Sequence, residues 1–183
     1  MRAFVALEVS GQVLDALVGF QGALASTGAD IKLVERENFH LNLKFLGEIS
    51  EKQGTEVKER LKALSVPGAV VDLNGAGAFP SSSKPRVVWA GVSQKHEALV
   101  VPIAQEVIRL LEGIGEQDDR PYRPHITLAR VRSTQNLRAL GNLLRENSDR
   151  GFGQVSLSEV KLKSSQLTPA GPVYKDMGVY PLR

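Results

Sequence analysis

Two short runs in this chain carry residue types and spacings that could do acid–base chemistry. One is Pro124-His125-Ile126-Thr127-Leu128-Ala129-Arg130. The other, about 85 residues earlier, is Phe39-His40-Leu41-Asn42-Leu43-Lys44-Phe45-Leu46-Gly47. The chain has only three histidines, and two of them open these runs. In a β-strand successive side chains point to opposite faces. Read as strands, the first run puts His40, Asn42 and Lys44 on one face and Leu41, Leu43 and Phe45 on the other. The second puts His125 and Thr127 opposite Ile126 and Leu128. Strict alternation then leaves Arg130 on the apolar side, unless strand twist or the strand's end turns it towards the histidines.

Imidazole ionises near pH 6.5, so modest environmental shifts can hold one histidine neutral and another protonated close to neutrality. Facing each other across a phosphate, such a pair is a general base and a general acid. The base takes a proton from attacking water, and the acid supplies one to the departing alkoxide. Charge on the non-bridging oxygens needs fixed donors, and the Asn42 amide and Thr127 hydroxyl sit two residues along from their histidines. A single His-x-Thr occurs by chance in many proteins. What distinguishes this chain is the match between runs: His first, a small donor third, Leu fourth. Lys44 and Arg130 are candidate substrate-binding cations. Phe79, Tyr122 and Trp89 are candidate base-stacking groups, although Trp89, inside an apolar strand, suits core packing better. His96, at a helix start, reads as a solvated surface residue. No third ligand stands at metal-binding spacing, so neither a metal nor a cofactor is expected.

With 42% apolar and 23% charged residues over 183 positions, the composition is that of an ordinary globular protein. The net charge of +3 is compatible with a phosphate-bearing partner. The absence of cysteine excludes disulfides, thiolate metal sites and cysteine nucleophiles. The first nine residues alternate like a strand rather than a signal peptide, and no stretch suits a membrane span. These features predict a cytoplasmic protein with no membrane association.

The elements that must position the two runs follow from periodicity and turn signals. Strands are predicted at about residues 1–9, 31–34, 39–47, 70–73, 86–92, 124–130, 155–164 and 173–180. Helices are predicted at about 10–25, with Ser10 as N-cap and Val18 in the apolar stripe, and at 50–64, 95–111 and 135–147. Ser50-Glu51-Lys52-Gln53 has the spacing of a capping box. Residues 75–85 read as a surface loop, 113–123 as a charged loop, and 168–172 as a turn. Mixed helices and strands joined by short turns argue for an α+β fold with mostly antiparallel sheets. The two histidine strands stand nearly half the chain apart. An internal duplication is therefore predicted: two lobes about a pseudo-twofold axis, each lending one strand to a central cleft, in a single domain over residues 1–183.

The chain resembles the two-histidine phosphoesterase superfamily, and within it the RNA 2',3'-cyclic phosphodiesterase family, historically named 2'-5' RNA ligase. The second His-x-Thr-x motif is His125-Ile126-Thr127-Leu128. The first is His40-Leu41-Asn42-Leu43, continued by Lys44-Phe45-Leu46-Gly47-Glu48, with Asn42 where the family usually has Thr. The opening Met1-Arg2-Ala3-Phe4-Val5-Ala6, the central Arg86-Val87-Val88-Trp89-Ala90-Gly91-Val92 and the late Leu167-Thr168-Pro169-Ala170-Gly171-Pro172-Val173-Tyr174 are similar to family segments as well. The resemblance implies two lobes with helices on their outer faces and the active-site cleft between them. It implies hydrolysis of a 2',3'-cyclic phosphate to a 2'-phosphate, with His40 as proton donor to the 3'-oxygen and His125 as the acceptor that activates water. RNA bearing a cyclic phosphate end, tRNA fragments included, and small cyclic nucleotides are the implied substrates of a monomeric enzyme. Two alternatives stay open: 2'-5' ligation by the same groups in reverse, and an RNA-end binding module weakened by Asn42.

Overall fold

The computed structural model describes residues 1–117, 120–169 and 171–183. In chain order the elements are β1 (Arg2–Glu8), α1 (Val13–Ser26), β2 (Ile31–Leu33), a 3₁₀ turn (Arg36–Asn38), β3 (His40–Glu48), α2 (Glu51–Leu61), β4 (Ala69–Ser81), β5 (Lys84–Val92), α3 (Gln94–Leu110), β6 (His125–Val131), α4 (Leu137–Glu146), β7 (Gly151–Leu157), β8 (Glu159–Thr168) and β9 (Gly171–Pro181). The strands pair antiparallel in the order β7-β4-β5-β6-β3-β1-β8-β9, with β2 added to the edge of β6. The α+β, two-lobed prediction is met. β7-β4-β5-β6 forms one lobe and β3-β1-β8-β9 the other. Among the described residues, the pairing that joins the two lobes in one strongly curled sheet is Leu41 with Ile126.

The core lies under one face of that sheet. Leu41, Leu43, Ile126 and Leu128 are buried there, together with Leu17, Phe20, Ile103 and Val107 from the helices. α1 lies against β6 and β7, and α3 against β3 and β4. The Ser50–Gln53 capping box forms: Ser50 Oγ accepts from the Gln53 N–H at 3.2 Å, and the Gln53 side chain accepts from the Ser50 N–H at 3.0 Å. Ser10 does not cap α1. Gly11, at φ 86°, turns the chain first, and the helix opens at Val13 without a side-chain cap. Val18 faces solvent rather than the core.

Residues 75–85 are not a surface loop. β4 and β5 continue through them and turn only at Ser82 and Ser83. Their glycines serve packing: a Cβ on Gly77 would stand 2.4 Å from the Trp89 ring, so the indole can lie flat on β4 only because Gly77 has no side chain. The strand predicted at 155–164 is two strands broken at Ser158 and begins earlier, at Gly151. The charged loop at 113–123 and the turn at 168–172 fall partly on residues 118, 119 and 170, which lie outside the described residues.

Candidate active site

The antiparallel pairing of Leu41 with Ile126 brings the two histidine strands side by side at the seam. Its register puts His40 next to Thr127 and Asn42 next to His125, so the histidines stand on one diagonal and their companion donors on the other. His125 contributes to the charge environment of His40, as expected for groups sharing this face.

Both strands carry the same irregularity at the same place. Opposite β1, the pairs run Ala6↔Asn42 then Val5↔Lys44, so Leu43 is an extra residue. Opposite β5, they run Trp89↔Thr127 then Val88↔Ala129, so Leu128 is extra. Each is a β-bulge three residues after the histidine, and a bulge inverts the facing of everything beyond it. Lys44 therefore leaves the histidine face. It is only 8% exposed, and its Nζ donates to the Glu116 carbonyl at 3.0 Å behind the sheet. The expectation that Lys44 shares the face of His40 is not met. Phe45, expected in the core, comes out beside Phe4 and is 52% exposed. On the other strand the bulge delivers Arg130 to the histidine face, close enough to influence both His125 and Tyr174.

The two imidazoles are held alike. His40 Nδ1 is 2.7 Å from the Asn38 carbonyl, and His125 Nδ1 is 2.7 Å from the Arg123 carbonyl. A carbonyl only accepts, so each Nδ1 bears the proton and each neutral ring keeps a basic Nε2. Burial is the main cause that pushes His40 down to about 4, with Lys163 and His125 adding to it against the Asn38 carbonyl and Glu8. Burial also lowers His125, with Arg130 adding to it and the Arg123 carbonyl opposing. Both rings are thus neutral near pH 7 in the free protein. The mixed protonation state expected from the sequence needs a further anion near the rings.

The surroundings of the two rings differ. Phe4 stacks on His40 with ring centroids 4.9 Å apart, and Tyr174 meets it edge-on at 5.6 Å. Phe79 meets His125 edge-on at 4.9 Å and leans on Trp89. Asn42 Oδ1, Trp89 Nε1 and Tyr122 Oη are buried without a hydrogen-bond partner, and burial raises the Tyr122 phenol. These are groups that a bound ligand or water would satisfy. His96 is not a solvated surface residue: it accepts from the Asp72 N–H at 2.9 Å and ties α3 to β4.

Beside His40 lies an ionic cluster that sequence reasoning missed. Lys161 and Lys163 of β8 reach across β1 to Glu8 and across β9 to Asp176, with Lys163 Nζ 2.6 Å from Asp176 and Lys161 Nζ 3.0 Å from it. Lys161 is ion-paired with Glu8, the residue opposite His40. Hydrogen bonding to Glu8 is the leading cause that raises the Lys161 ammonium. The available signal was the alternation of two lysines with buried Val160 and Leu162. Nothing in the spacing linked them to a histidine more than 100 residues away. Among the described residues, no three His, Asp or Glu side chains converge as a metal cage.

A two-lobed curled sheet whose seam carries paired histidine motifs defines a phosphoesterase class. This chain belongs to the LigT-like phosphoesterases, whose family model matches residues 7–89 and 96–174. It is 42% identical over 162 residues to the RNA 2',3'-cyclic phosphodiesterase of Aeropyrum pernix, covering 88% of this chain and 92% of that one. It is 34% identical over 180 residues to the protein of the same name from Archaeoglobus fulgidus, covering 98% and 99%. A crystal structure of a Thermus thermophilus protein superposes with a TM-score of 0.76 at 29% identity, over 100% of this chain and 98% of that one. E. coli LigT complexed with 3'-AMP gives 0.77 at 23% identity, over 99% and 97%, a likeness of fold.

Proposed function

We propose that this chain hydrolyses 2',3'-cyclic phosphate ends of RNA, tRNA fragments among them, and small nucleoside 2',3'-cyclic phosphates, leaving 2'-phosphates. Residues 1–183 act as one unit, because the site draws one strand from each lobe. The observation that carries the reading is the pair of imidazoles on one face, each with Nδ1 pinned by a carbonyl and Nε2 free for proton transfer. The name shared by relatives covering most of the chain supports the substrate class.

The cyclic diester's anion sits between the histidines and raises both. His125 Nε2 takes the proton of the attacking water as its oxygen bonds to phosphorus. His40, protonated at Nε2, delivers that proton to the 3'-oxygen as the P–O3' bond breaks. Thr127 and the Asn42 amide donate to the non-bridging oxygens, and Arg130 balances the charge that gathers there. No step in this scheme calls for a metal or cofactor.

The test is incubation with the four nucleoside 2',3'-cyclic monophosphates in excess chelator, separating 2'- from 3'-phosphate products. Expected is turnover to the 2'-phosphate alone. Loss of activity in chelator with recovery on adding a divalent ion, or release of the 3'-phosphate, would overturn this reading.

A further inference from the structure

The ionic cluster beside His40 closes into a ring, and one of its members is the cross-strand neighbour of the histidine. Glu8 ends β1 opposite His40. Directly opposite residues of an antiparallel pair share a face, with Cβ atoms roughly 4.5–5.5 Å apart. Lys161 and Lys163, two residues apart on β8, join that face through Ala6 and Phe4, the residues they pair with. Glu8 and Asp176 each reach both ammonium groups. Glu8 is ion-paired with Lys161 and stands 3.7 Å from Lys163, and Asp176 stands 3.0 Å and 2.6 Å from the same two. Glu159 adds a contact to Lys161 at 3.4 Å. The two lysine side chains are nearly buried, 12% and 10% exposed. Half-exposed ion pairs contribute little stability, and burying two ammoniums side by side costs desolvation. Beside a group that gains and loses a proton, the same ring has another use.

We propose that Glu8 is a positioning residue for the proton donor: pinned by Lys161 and Lys163, its carboxylate offsets their charge where His40 becomes a cation. The inference rests on the hydrolytic reading above and adds what allows that imidazolium to form. The charged and titratable groups around His40 are Glu8 from β1, Lys161 and Lys163 from β8, Asp176 and Tyr174 from β9, and His125 from β6. Burial raises the Tyr174 phenol, so it is neutral near pH 7. Asp176 belongs to a strand two further from His40 than the strand of Glu8. Beyond the effects of burial and the Asn38 carbonyl, Lys163 disfavours the charged imidazole and Glu8 favours it. The two lysines in turn hold the Glu8 carboxylate, which left alone would pair with the imidazolium and keep its proton from the 3'-oxygen. His125, the proposed base, faces Gly91, which has no side chain to bring a charge there. The ring thus stands on the side of the acid alone.

The experiment joins two measurements on the full chain: the pH profile of kcat on adenosine 2',3'-cyclic phosphate, and NMR titration of the His40 and His125 ring protons. Glu8→Gln keeps the shape of the side chain and removes its charge. The centre of its bell and the His40 midpoint should both move down by about half a pH unit, roughly threefold in rate on the alkaline limb. KM should hold. Lys163→Met, with Lys163→Gln beside it, breaks the same ion pair but should move both quantities up. The double variant should return towards wild type, because the two charges oppose each other at His40. Glu8→Asp, which keeps the charge on a shorter arm, should lie between wild type and Glu8→Gln. Asp176→Asn should lower the melting temperature as Glu8→Gln does, yet move the His40 midpoint less. A staple that only held the strands together would give shifts of one sign, following the loss of stability. Shifts of the same sign in Glu8→Gln and Lys163→Met, or no shift in either, overturn the proposal and leave the hydrolytic reading standing where turnover persists. Opposite His40 shifts in a wild-type protein without turnover would sink the hydrolytic reading and leave the charge balance at His40 standing.

Discussion

The two lobes are built to one plan and furnished differently. Row by row across the sheet, His40 faces Glu8 where His125 faces Gly91. Asn42 faces Ala6 and then Lys161, where Thr127 faces Trp89 and then Gly77. Phe45 faces Phe4 and then Lys163, where Arg130 faces Val87 and then Phe79. In each middle row a large side chain lies over a small one, with the large residue on β8 in one lobe and on β5 in the other. The backbone devices repeat: a histidine pinned to the carbonyl two residues earlier, and a bulge one residue past the donor. Both imidazoles touch aromatic rings, Phe4 and Tyr174 at His40 and Phe79 at His125, and the side of His40 adds the ionic cluster of Glu8, Lys161, Lys163 and Asp176. The repeated plan places the two histidines symmetrically about the seam. The unlike neighbours fit the proposed reaction, in which the entering and leaving oxygens differ.

The harshest test of that comparison is removal of its two poles. His40→Ala and His125→Ala are each expected to lower turnover by about 10²-fold or more. The double mutant should fall far short of the product of the two losses, since the groups act as a unit. Near-normal turnover in either single mutant would dissolve the pairing. The companion donors come next. Thr127→Val and Asn42→Ala should each cost on the order of 10²-fold in kcat, as when a transition-state donor is removed. Asn42→Thr, which makes the two strands alike at this position, should stay within about tenfold, roughly 1.4 kcal/mol of barrier. Equal rates in all Asn42 variants would show that this side chain does not touch the phosphate.

Much of this is legible in the sequence, and the failures share one cause. The two histidines, their donors and the seam between lobes follow from a period of two and a repeated motif. Beyond Leu43 and Leu128 the period breaks, because a bulge depends on pairing with a neighbouring strand and leaves no mark in its own residues. Alternation therefore assigns Lys44 and Phe45 to each other's faces, and what frees Arg130 is the bulge rather than the strand's end. The Gly-rich stretch at 75–85 reads as a loop because glycine signals turns. Its tertiary reason, room for the Trp89 ring, is invisible until β5 is laid beside β4. The ionic cluster of Glu8, Lys161, Lys163 and Asp176 joins three strands, one of them distant in sequence from the other two.

A milder probe is the pH dependence of kcat/KM, which reports the free enzyme. The proposed scheme needs one imidazole protonated and the other neutral, a state most populated midway between the pair's two apparent pKa values. Both rings are held below their ordinary 6.5, His40 down to about 4. The bell should therefore centre on the acid side of neutrality. The kcat profile should lie higher, because the bound phosphate raises both groups. A kcat/KM bell centred above pH 7, in protein shown to be folded throughout, would contradict the lowering of both imidazoles by burial.

The smallest expected effect is on stability, and it separates the lobes without any substrate. Between about 4 and 6.5 the unfolded chain binds a proton at His40 that the folded chain refuses, so stability falls as pH falls through that window. The full difference is on the order of 3 kcal/mol, part of it lost by pH 5. Burial is the largest single influence on Asp176 and raises it. The Lys163 and Lys161 hydrogen bonds and charges together outweigh burial and hold this carboxyl below its ordinary 3.8, so it stays charged in that range. His125 shifts in the same direction but lies more open to water. Melting temperatures at pH 7 and pH 5 should therefore drop most in wild type, somewhat less in His125→Asn, and least in His40→Asn. Added phosphate at pH 5 should restore several degrees to the wild type, because an anion between the rings favours their protonated forms. The same acid-induced drop in all three proteins would mean that the two histidines see equivalent surroundings, and the contrast between the two sides of the seam would lose its energetic content.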